Sequence, residues 1–440
     1  MKQNFDIYLA SAGTGKTSVL MDRLIAEIES GVQPERIAFV SYTRNAAQVA
    51  RERAAKLLNI PQSRLTNFRT IHSMCFHTLQ ASKQQMMDGP KYKDFGEQAG
   101  YSLDKVTAIG WEGLDWDEIR DRDLLSLEQL YRNNKAYFDK VSEDRIDNQR
   151  LSTFMALYSK YRKTNNYTDF TDLLEQYINE QHVEDVDVAL LDEMQDSSPL
   201  QWRVVLQAFK NASRIYIAGD DKQSIYTYSG ADSSILLKFR GMQHILDVSY
   251  RVPSRILAFA NSIAKQIQTS YHVDCKSANA GGIVDYINGI EDMPDIQMNK
   301  SYYFLARTRS LLKPFEEWCR YLGYIYIKDG TPSVSQYDLF EYRNGMTDEW
   351  PEEKLLYIHD VVESGRDKYA PNITISTIHG VKGGEADIVV LRSDISYLVN
   401  KSMDVDEDPE HRVFYVGVTR AREELYIMNP QTHFVYPYIL

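Results

Sequence analysis

The sequence predicts an α/β protein with two parallel-sheet cores and an inserted helical subdomain. Short apolar segments alternate with helical patterns in residues 1–75 and 168–245, and again in residues 246–440. Residues 76–167 lack such segments and are rich in charged and aromatic side chains. Strands that alternate with helices favour a parallel, doubly wound sheet, and 440 residues exceed the length of one ordinary core.

The first core begins with an apolar strand, a glycine-containing turn and a helical pattern that ends at Gly31. A second strand leads into a helix over residues 45–58 that is rich in Ala and Arg. The strands predicted for this core are residues 7–10, 37–41, 186–191 and 215–218. Residues 76–167 are then expected to form the helical subdomain inserted between its two parts.

The second core resumes the alternation of strands and helices after Tyr250. Its predicted strands are residues 283–287, 302–306, 373–377 and 388–391. The stretch 330–371 is acidic and interrupted by Pro332, Gly345 and Pro351, so it is predicted to be a loop with one helix.

Composition excludes several classes of protein. With 43% apolar and 25% charged residues, no segment reaches the 18 or so apolar residues of a membrane helix. The N-terminal residues lack the apolar segment of a signal peptide, so we expect a cytoplasmic protein without membrane contact. Cys75, Cys275 and Cys319 form no CxxC pair and are expected to be buried thiols in a reducing compartment.

The net charge of −12 argues against a protein that coats nucleic acid through bulk electrostatics. It leaves room for a confined channel in which a few basic groups follow the backbone and aromatic rings stack on bases. The 30 tyrosines supply such rings.

Residues 10–17, with the sequence ASAGTGKT, follow an apolar strand and open a helix. In this context backbone N–H groups and the helix N-terminus can bind phosphates. Lys16 would neutralise phosphate charge and Thr17 would hold Mg²⁺. A glycine-rich turn without a ligand is the alternative, and the GKT ending argues against it. The residues predicted to bind the nucleotide are Ala12, Gly13, Thr14, Gly15, Lys16, Thr17 and Ser18.

Two carboxylates follow the strand predicted at residues 186–191, which places them at the carboxyl edge of the sheet beside the phosphate loop. Asp192 would bind Mg²⁺, and Glu193 would orient and deprotonate the attacking water. A DE pair after a strand is more often a solvated turn, but beside this loop it indicates nucleotide hydrolysis.

Further segments resemble the UvrD/Rep/PcrA helicases of superfamily 1A, in order and over nearly the whole chain. The segments are VSYTRNAA at 40–47, TIHSMC at 70–75, DFTDLL at 169–174, DEMQD at 192–196, GDDKQSIY at 219–226, SYR at 249–251, TIHGVKGGE at 377–385 and YVGVTRAR at 415–422. The resemblance implies two RecA-like domains of the P-loop NTPase class, with ATP in the cleft between them.

The resemblance also implies roles for individual residues. Gln223 corresponds to the γ-phosphate sensor and Tyr250 to the ring that stacks on adenine. Arg251 and Arg420 correspond to arginine fingers, and Glu385 to the ribose contact. Guanidinium groups of this kind stabilise the charge of the transferred phosphoryl group.

For DNA, the family pattern assigns rings that stack on bases and polar groups near the strand backbone. Stacking tolerates any base, which suits a motor that must pass all sequences. The rings are Tyr42, Tyr226 and Tyr228, and the other predicted DNA contacts are Thr43, Arg44, His72, Thr377 and His379.

The chain also departs from the family pattern. Because Lys16 lies so near the first residue, we do not expect the preceding adenine-reading helix with its Gln; Tyr228 and Ser229 stand in place of a Trp and an Arg. Between Arg251 and Thr377 there is no room for the large mobile subdomain of relatives, so we expect a vestigial insertion around 330–371. The compact size fits a phage-encoded enzyme.

Together the motifs and the resemblance imply a monomeric, ATP- and Mg²⁺-dependent DNA helicase or translocase acting on single strands and single/double-strand junctions in repair or replication. The 3′–5′ polarity is implied by the resemblance alone. One alternative is a translocase that does not unwind. Another is a nucleotide-gated regulatory subunit, such as the motor half of a complex with a nuclease or a loading protein.

Overall fold

The computed structural model describes residues 4–103, 119–142, 147–271 and 273–440. The chain divides into two compact units, the first spanning Met1–Asp247 and Thr269–Tyr271 and the second Val248–Gln268 and His272–Leu440. Each unit contains one large sheet of mainly parallel strands, which confirms the predicted α/β class with parallel-sheet cores.

The sheet of the first unit has six strands in the order β3-β2-β4-β5-β1-β6, with every neighbouring pair parallel. Its strands are β1 Asn4–Ala10, β2 Ile37–Val40, β3 Phe68–Arg69, β4 Val188–Leu191, β5 Arg214–Gly219 and β6 Met242–Leu246. The helices of this unit are α1 Lys16–Glu29, α2 Arg44–Leu58, α3 Ile71–Thr78, α4 Gly89–Ala99, α5 Asp121–Asn133, α6 Lys135–Ser142, α7 Asn148–Asn165, α8 Phe170–Asn179, α9 Pro199–Ala208 and α10 Ser233–Lys238.

Both faces of this sheet are covered, because alternate residues of each central strand enter different apolar clusters. Ala38 and Val40 pack in one cluster, whereas Ile37 and Phe39 pack in the other. All four residues of β2 are buried, as are all four of β4. Continuous apolar strands of this kind are typical of parallel sheets with helices on both faces.

The described residues between α3 and α8 contain the helices α4 to α7 and no strand. Aromatic and leucine side chains, including Phe95, Leu127 and Phe154, form a separate apolar cluster there. Residues 104–118 and 143–146 of the predicted helical subdomain lie outside the described residues.

The sheet of the second unit has seven strands in the order β12-β11-β13-β10-β14-β15-β9, parallel except for the β11/β12 pair. The strands are β7 Val248–Ser249 and β8 Lys276–Ser277, which pair separately, then β9 Ile283–Ile287, β10 Tyr302–Ala306, β11 Tyr326–Lys328, β12 Thr331–Pro332, β13 Ile373–Thr377, β14 Ala386–Arg392 and β15 Ala421–Met428. The helices are α11 Ser254–Ala264, α12 Lys313–Tyr321, α13 Gln336–Arg343, α14 Glu352–Glu363, α15 Tyr397–Met403 and α16 Asp408–Val418.

The prediction of one helix in residues 330–371 is wrong, because the structure has two, α13 and α14. Ser335 and Asp338 form a reciprocal capping box that starts α13, a helix-start signal that lies among the acidic residues of this stretch. The two helices bury Leu339, Ile358 and Val361 in a small apolar cluster that also includes Ile325 beside β11.

Two composition-based expectations concern burial and membranes. Cys75, Cys275 and Cys319 are buried free thiols, as predicted. Among the described residues, no helix combines the length and apolar character that crossing a membrane requires.

Candidate nucleotide site and nucleic-acid interface

The phosphate loop connects the buried end of β1 to the first residue of α1, Lys16. Gly13 and Gly15 adopt φ values of 74° and 83°, a left-handed conformation that larger side chains rarely adopt. Gly15 is the N-cap of α1 and provides no side-chain cap. The first-turn N–H groups of α1 therefore suit an anionic ligand, which the helix dipole also favours.

A hydroxyl and a carboxylate meet beside this loop. Thr17 Oγ1 donates a hydrogen bond of 2.8 Å to Asp192 Oδ2, and Asp192 directly follows β4. Burial, together with the neighbouring charge of Glu193, raises the pKa of Asp192, and the Thr17 hydrogen bond and Lys16 oppose this shift. A cation at this position would favour the ionised carboxylate.

The Thr17–Asp192 pair suits Mg²⁺, which shares its ligands between protein and substrate, better than a metal ion that is bound by protein side chains alone. Among the described residues, no group of three or more His, Cys, Asp or Glu side chains could hold a metal ion. Mg²⁺ is commonly bound by one or two carboxylates, with substrate phosphates and water completing its octahedron. Thr17 and Asp192 could therefore supply two of the ligands of a Mg²⁺ ion whose other ligands are phosphate oxygens and water.

Glu193 has a strained backbone, with φ 57° and ψ 37° in the left-handed region. The side-chain amide of Gln195 donates to Glu193 Oε2, and Gln195 Oε1 accepts a 3.0 Å hydrogen bond from the backbone N–H of Asp220. Non-glycine residues in this region cost free energy and cluster at functional sites. Gln195 thus connects the ends of β4 and β5 and fixes the Glu193 carboxylate; the sequence reasoning gave it no role.

Gln223 lies just beyond the end of β5 and donates a 2.6 Å hydrogen bond to Asp220 Oδ2. Asp220 is fully buried, and this burial raises its pKa against the opposing charges of Lys16 and Lys222. Lys222 Nζ lies 3.5 Å from Ser11 Oγ in the phosphate loop. Asp220 and Lys222 therefore join the site, although sequence reasoning assigned them no role.

The sheet order explains why these groups converge. β5 lies between β4 and β1, and all three strands are parallel. Their carboxyl ends therefore share one edge of the sheet, where Lys16, Asp192, Glu193 and Gln223 follow the strands. In open parallel sheets this edge is the usual place for ligands.

In the second unit, two arginines form ion pairs with Glu385. Arg251 Nε forms an ion pair with Glu385 Oε2, and Arg422 Nη1 lies 3.3 Å from Glu385 Oε1. Tyr250, the predicted adenine ring, is 68% exposed. The sequence predicted Arg251 and Glu385 as separate nucleotide contacts and did not predict their ion pair.

Arg420 is almost fully buried at the turn between α16 and β15. Its guanidinium donates hydrogen bonds to three neutral oxygens: Val416 O at 3.0 Å, Gly384 O at 3.0 Å and Thr419 Oγ1 at 3.2 Å. These bonds fix the side chain among backbone groups of the second unit.

Three tyrosine rings contact one another in the first unit, at the carboxyl edge of its sheet. Tyr42, which follows β2, stacks on Tyr226 with ring centroids 5.0 Å apart and an interplanar angle of 17°. Tyr228 meets Tyr226 edge-on at 6.0 Å. Burial raises the pKa of Tyr42 and Tyr226, so both phenols remain neutral at physiological pH.

The other predicted DNA contacts of the first unit lie at helix N-termini. Thr43 caps α2 by accepting a 3.1 Å hydrogen bond from the N–H of Ala46, and Arg44 is exposed at the first position of that helix. His72 lies in the first turn of α3, and burial lowers its pKa to about 4, with Arg44 contributing. His72 is therefore neutral at physiological pH.

Thr377 and His379 belong to the second unit. Thr377 ends β13, and its Oγ1 accepts a 3.3 Å hydrogen bond from the N–H of Gly380. His379 begins the short 3₁₀ turn that follows. The structure thus brings the predicted DNA residues together in two separate groups, one in each unit.

Comparison with protein families gives two matches. The model of the UvrD/REP helicase N-terminal domain matches residues 4–243, and that of the UvrD-like helicase C-terminal domain matches residues 341–432.

Similar proteins carry related descriptions. A probable DNA helicase of Mycoplasma pneumoniae is 26% identical over 96% of this chain and 80% of its own length. The ATP-dependent DNA helicase Rep of Escherichia coli is 28% identical over 58% of this chain and 40% of its own. In Rep of Escherichia coli and six further curated relatives, the chain spans between 37% and 51% of the relative's own length. Among solved structures, an arterivirus helicase, nonstructural protein 10, has a TM-score of 0.38 and 11% identity over 98% of this chain and 60% of its own.

Proposed function

Because this chain belongs to the UvrD/Rep helicase family, we propose that it is an ATP-dependent motor that moves 3′ to 5′ along single-stranded DNA and separates strands at junctions. The observation that carries this proposal is the convergence of Lys16, the Thr17–Asp192 pair, Glu193 and Gln223 at one sheet edge that also bears stacked tyrosines. Phosphate chemistry and base stacking would then share one rigid support.

In this proposal the first RecA-like domain, residues 1–75 and 168–245, binds ATP. Residues 76–167 form an inserted helical subdomain, and residues 246–440 form the second RecA-like domain with a reduced insertion around 330–371. The insertion contains the helices α13 and α14 and the two-residue strand β12.

Hydrolysis would use the groups at the end of the first sheet. The loop amides from Ala12 to Ser18 and the Lys16 ammonium would bind the phosphates of ATP, and Thr17 and Asp192 would hold Mg²⁺, which neutralises phosphate charge. The carboxylate of Glu193 would accept the proton of the attacking water while Gln195 holds that carboxylate in place. Gln223 would respond to the γ-phosphate from its position on Asp220.

The second unit would supply the cations for the developing charge. Arg251 and Arg420 would act as arginine fingers, Tyr250 would stack on adenine and Glu385 would contact the ribose. Because Glu385 is paired with Arg251, we propose that nucleotide binding replaces this ion pair and frees the guanidinium. The environment of Arg420 differs from that of Arg251, because its guanidinium donates to neutral backbone oxygens.

DNA would be bound by stacking and by backbone contacts. Tyr42, Tyr226 and Tyr228 present rings to bases, at about 1 to 3 kcal/mol per stacked base whatever the base. Thr43, Arg44 and His72 in the first unit, with Thr377 and His379 in the second, would contact the strand backbone. His72 would act as a neutral hydrogen-bonding group because of its lowered pKa.

The test is ATP hydrolysis with and without single-stranded DNA, followed by displacement assays on duplexes with a 3′ or a 5′ tail. We expect hydrolysis to be stimulated by single strands and displacement to require the 3′ tail. Hydrolysis that ignores DNA would contradict the motor proposal, and preference for the 5′ tail would contradict the polarity.

A translocase that does not unwind is the second candidate, favoured by the small size of the 330–371 insertion. It would displace streptavidin from a biotinylated single strand but leave tailed duplexes intact. Displacement of both substrates would exclude it.

A further inference from the structure

The first unit contains a basic groove of about 510 Å³ between α2, β3 and α3. Arg44, Arg51, Arg69 and His77 line it together with polar side chains such as Ser73. Among the described residues, no aspartate or glutamate lines it. Its volume lies in the range of about 300 to 1,000 Å³ found for small-ligand sites.

Helical periodicity explains how the sequence builds this groove. Residues 44, 47, 48 and 51 are spaced so that they share one face of α2, and residues 73 and 77 share one face of α3. Arg69 ends the short strand β3 and precedes Thr70, the N-cap of α3. Two helix faces and one strand end therefore direct basic and polar groups toward the same space.

Within the part of the chain that the structure describes, the arginines of the groove form no ion pair with a carboxylate, whereas other arginines of this unit do. Arg51 Nη2 donates to Phe68 O at 3.3 Å, but its buried Nε has no acceptor. Arg69 Nε donates to Thr66 O at 2.9 Å. By contrast, Arg36 and Arg64 each form ion pairs with aspartate or glutamate.

The charges of the groove also repel one another. Burial, with a contribution from Arg51, lowers the pKa of Arg69, and burial together with Arg69 lowers the pKa of His77. Glu184 attracts Arg69 but does not line the groove; it accepts hydrogen bonds from Thr78 and from Tyr177. An unpaired donor beside like charges in a partly desolvated space favours binding of an anion.

The groove adjoins residues already assigned to DNA. Arg44 belongs both to its lining and to the proposed strand contacts, and Thr70 lies two residues before His72. The one aromatic residue of the lining other than His77 is Phe68, which is 2% exposed. The groove therefore offers hydrogen-bond donors for phosphate oxygens but little surface for base stacking. Arginine forks match phosphate oxygens in geometry and charge.

We propose that this groove binds the sugar–phosphate backbone of single-stranded DNA, with Arg51 and Arg69 each contacting one phosphate beyond the segment stacked on the tyrosines. The inference rests on the proposed function, since it extends the DNA path of that motor. It adds a purely electrostatic segment to a path that begins with aromatic stacking.

The test compares the double variant Arg51→Gln/Arg69→Gln with the matched control Arg203→Gln/Lys210→Gln, which removes the same charge from exposed residues in and just after α9. Affinity for oligothymidine is measured from 50 to 300 mM NaCl. Each phosphate contact contributes a slope of about −0.7 in log K against log salt for single strands. We expect the groove variant to lose about 1.4 units of slope and the control to lose none.

A second pair of substitutions separates charge from structure. Arg51→Lys/Arg69→Lys retains both charges and should keep most of the wild-type slope, and thermal unfolding checks that each variant is folded. A folded glutamine variant with the wild-type slope would overturn the proposal. So would loss of inorganic pyrophosphate binding with DNA affinity unchanged, since the groove would then be a site for small anions.

Different results would contradict the proposed motor function and the proposed DNA binding in the groove. If the wild-type protein does not bind single-stranded DNA, the proposed function fails and the groove proposal fails with it. If the wild type binds DNA and hydrolyses ATP in response, while the glutamine variant retains its slope, only the groove proposal fails.

Discussion

Gln195 connects the general base predicted from the sequence to the neighbouring strand. Its amide donates to the Glu193 carboxylate while its oxygen accepts from the N–H of Asp220. A carboxylate on a strained residue needs such support, because small displacements of a general base cost large factors in rate.

We therefore expect Gln195→Leu to lower kcat for ATP by about 10- to 100-fold, which is at or below the lower limit of the range of about 10² to 10⁴ that general base catalysis supplies, because Glu193 itself remains. The KM for ATP should change little, because Gln195 does not belong to the phosphate loop. Steady-state hydrolysis measures both constants. The control is Gln207→Leu on α9, whose side chain donates to His182 O away from this site. A Gln195→Leu variant with wild-type kcat would contradict the positioning role.

The sequence predicted the residues of the phosphate loop and the acid pair because their chemistry is local: each follows a strand and opens a turn. It did not predict Gln195, Asp220 or Lys222 as site residues, because their roles come from contacts between β4, β5 and the loop. Nor could spacing show that Arg251 meets Glu385, which lies more than a hundred residues away.

At the scale of elements, a buried ion network connects α5, α7 and α8. Arg162 Nη1 lies 2.5 Å from Asp169 Oδ2, and Arg132 Nη1 lies 3.0 Å from the same oxygen. Glu128 and Asp172 also belong to the network. Asp169 caps α8 in addition, so one carboxylate orders a helix start and pairs with two arginines.

Removing one partner of a buried pair leaves an uncompensated charge and commonly costs about 3 to 5 kcal/mol. We expect Arg162→Met to lower the free energy of unfolding by an amount of this order, measured by urea denaturation. The control is Lys135→Met, which removes an exposed pair with Asp139 and should cost within about 1 kcal/mol. Equal effects of the two substitutions would mean that the buried network contributes no more than a surface pair.

Elements with strong apolar character were predicted to within a few residues, and β9, β10 and β13 were predicted without error. β3, β6 and β15 were not predicted as strands. β3 has only two residues, and β6 exposes Met242 and Ile245 at the sheet edge, so its sequence lacks a buried strand's apolar run. β15 has three charged residues directly after its first residue, Ala421, and is a strand because it pairs with β14 and β9.

For the whole molecule, the proposed chemistry is divided between the two compact units. Lys16, Asp192 and Glu193 belong to the first, and Arg251 and Arg420 to the second. If both sets act on one ATP, hydrolysis requires both units. A change in the second unit should then lower the rate of hydrolysis while the phosphate loop of the first unit still binds the nucleotide. This division would link the hydrolytic cycle to motion along DNA.

Arg251→Gln tests this division, because Arg251 is partly exposed and its removal leaves no buried charge. We expect kcat for DNA-stimulated hydrolysis to fall by about 10³-fold or more, the range for arginine fingers, while a fluorescent ATP analogue still binds. The control, Arg255→Gln, removes the same charge from an exposed position on α11 four residues away and should hydrolyse ATP at the wild-type rate. If Arg251→Gln also hydrolysed ATP at that rate, the second unit would contribute no finger through this residue, and catalysis would depend on the first unit and Arg420.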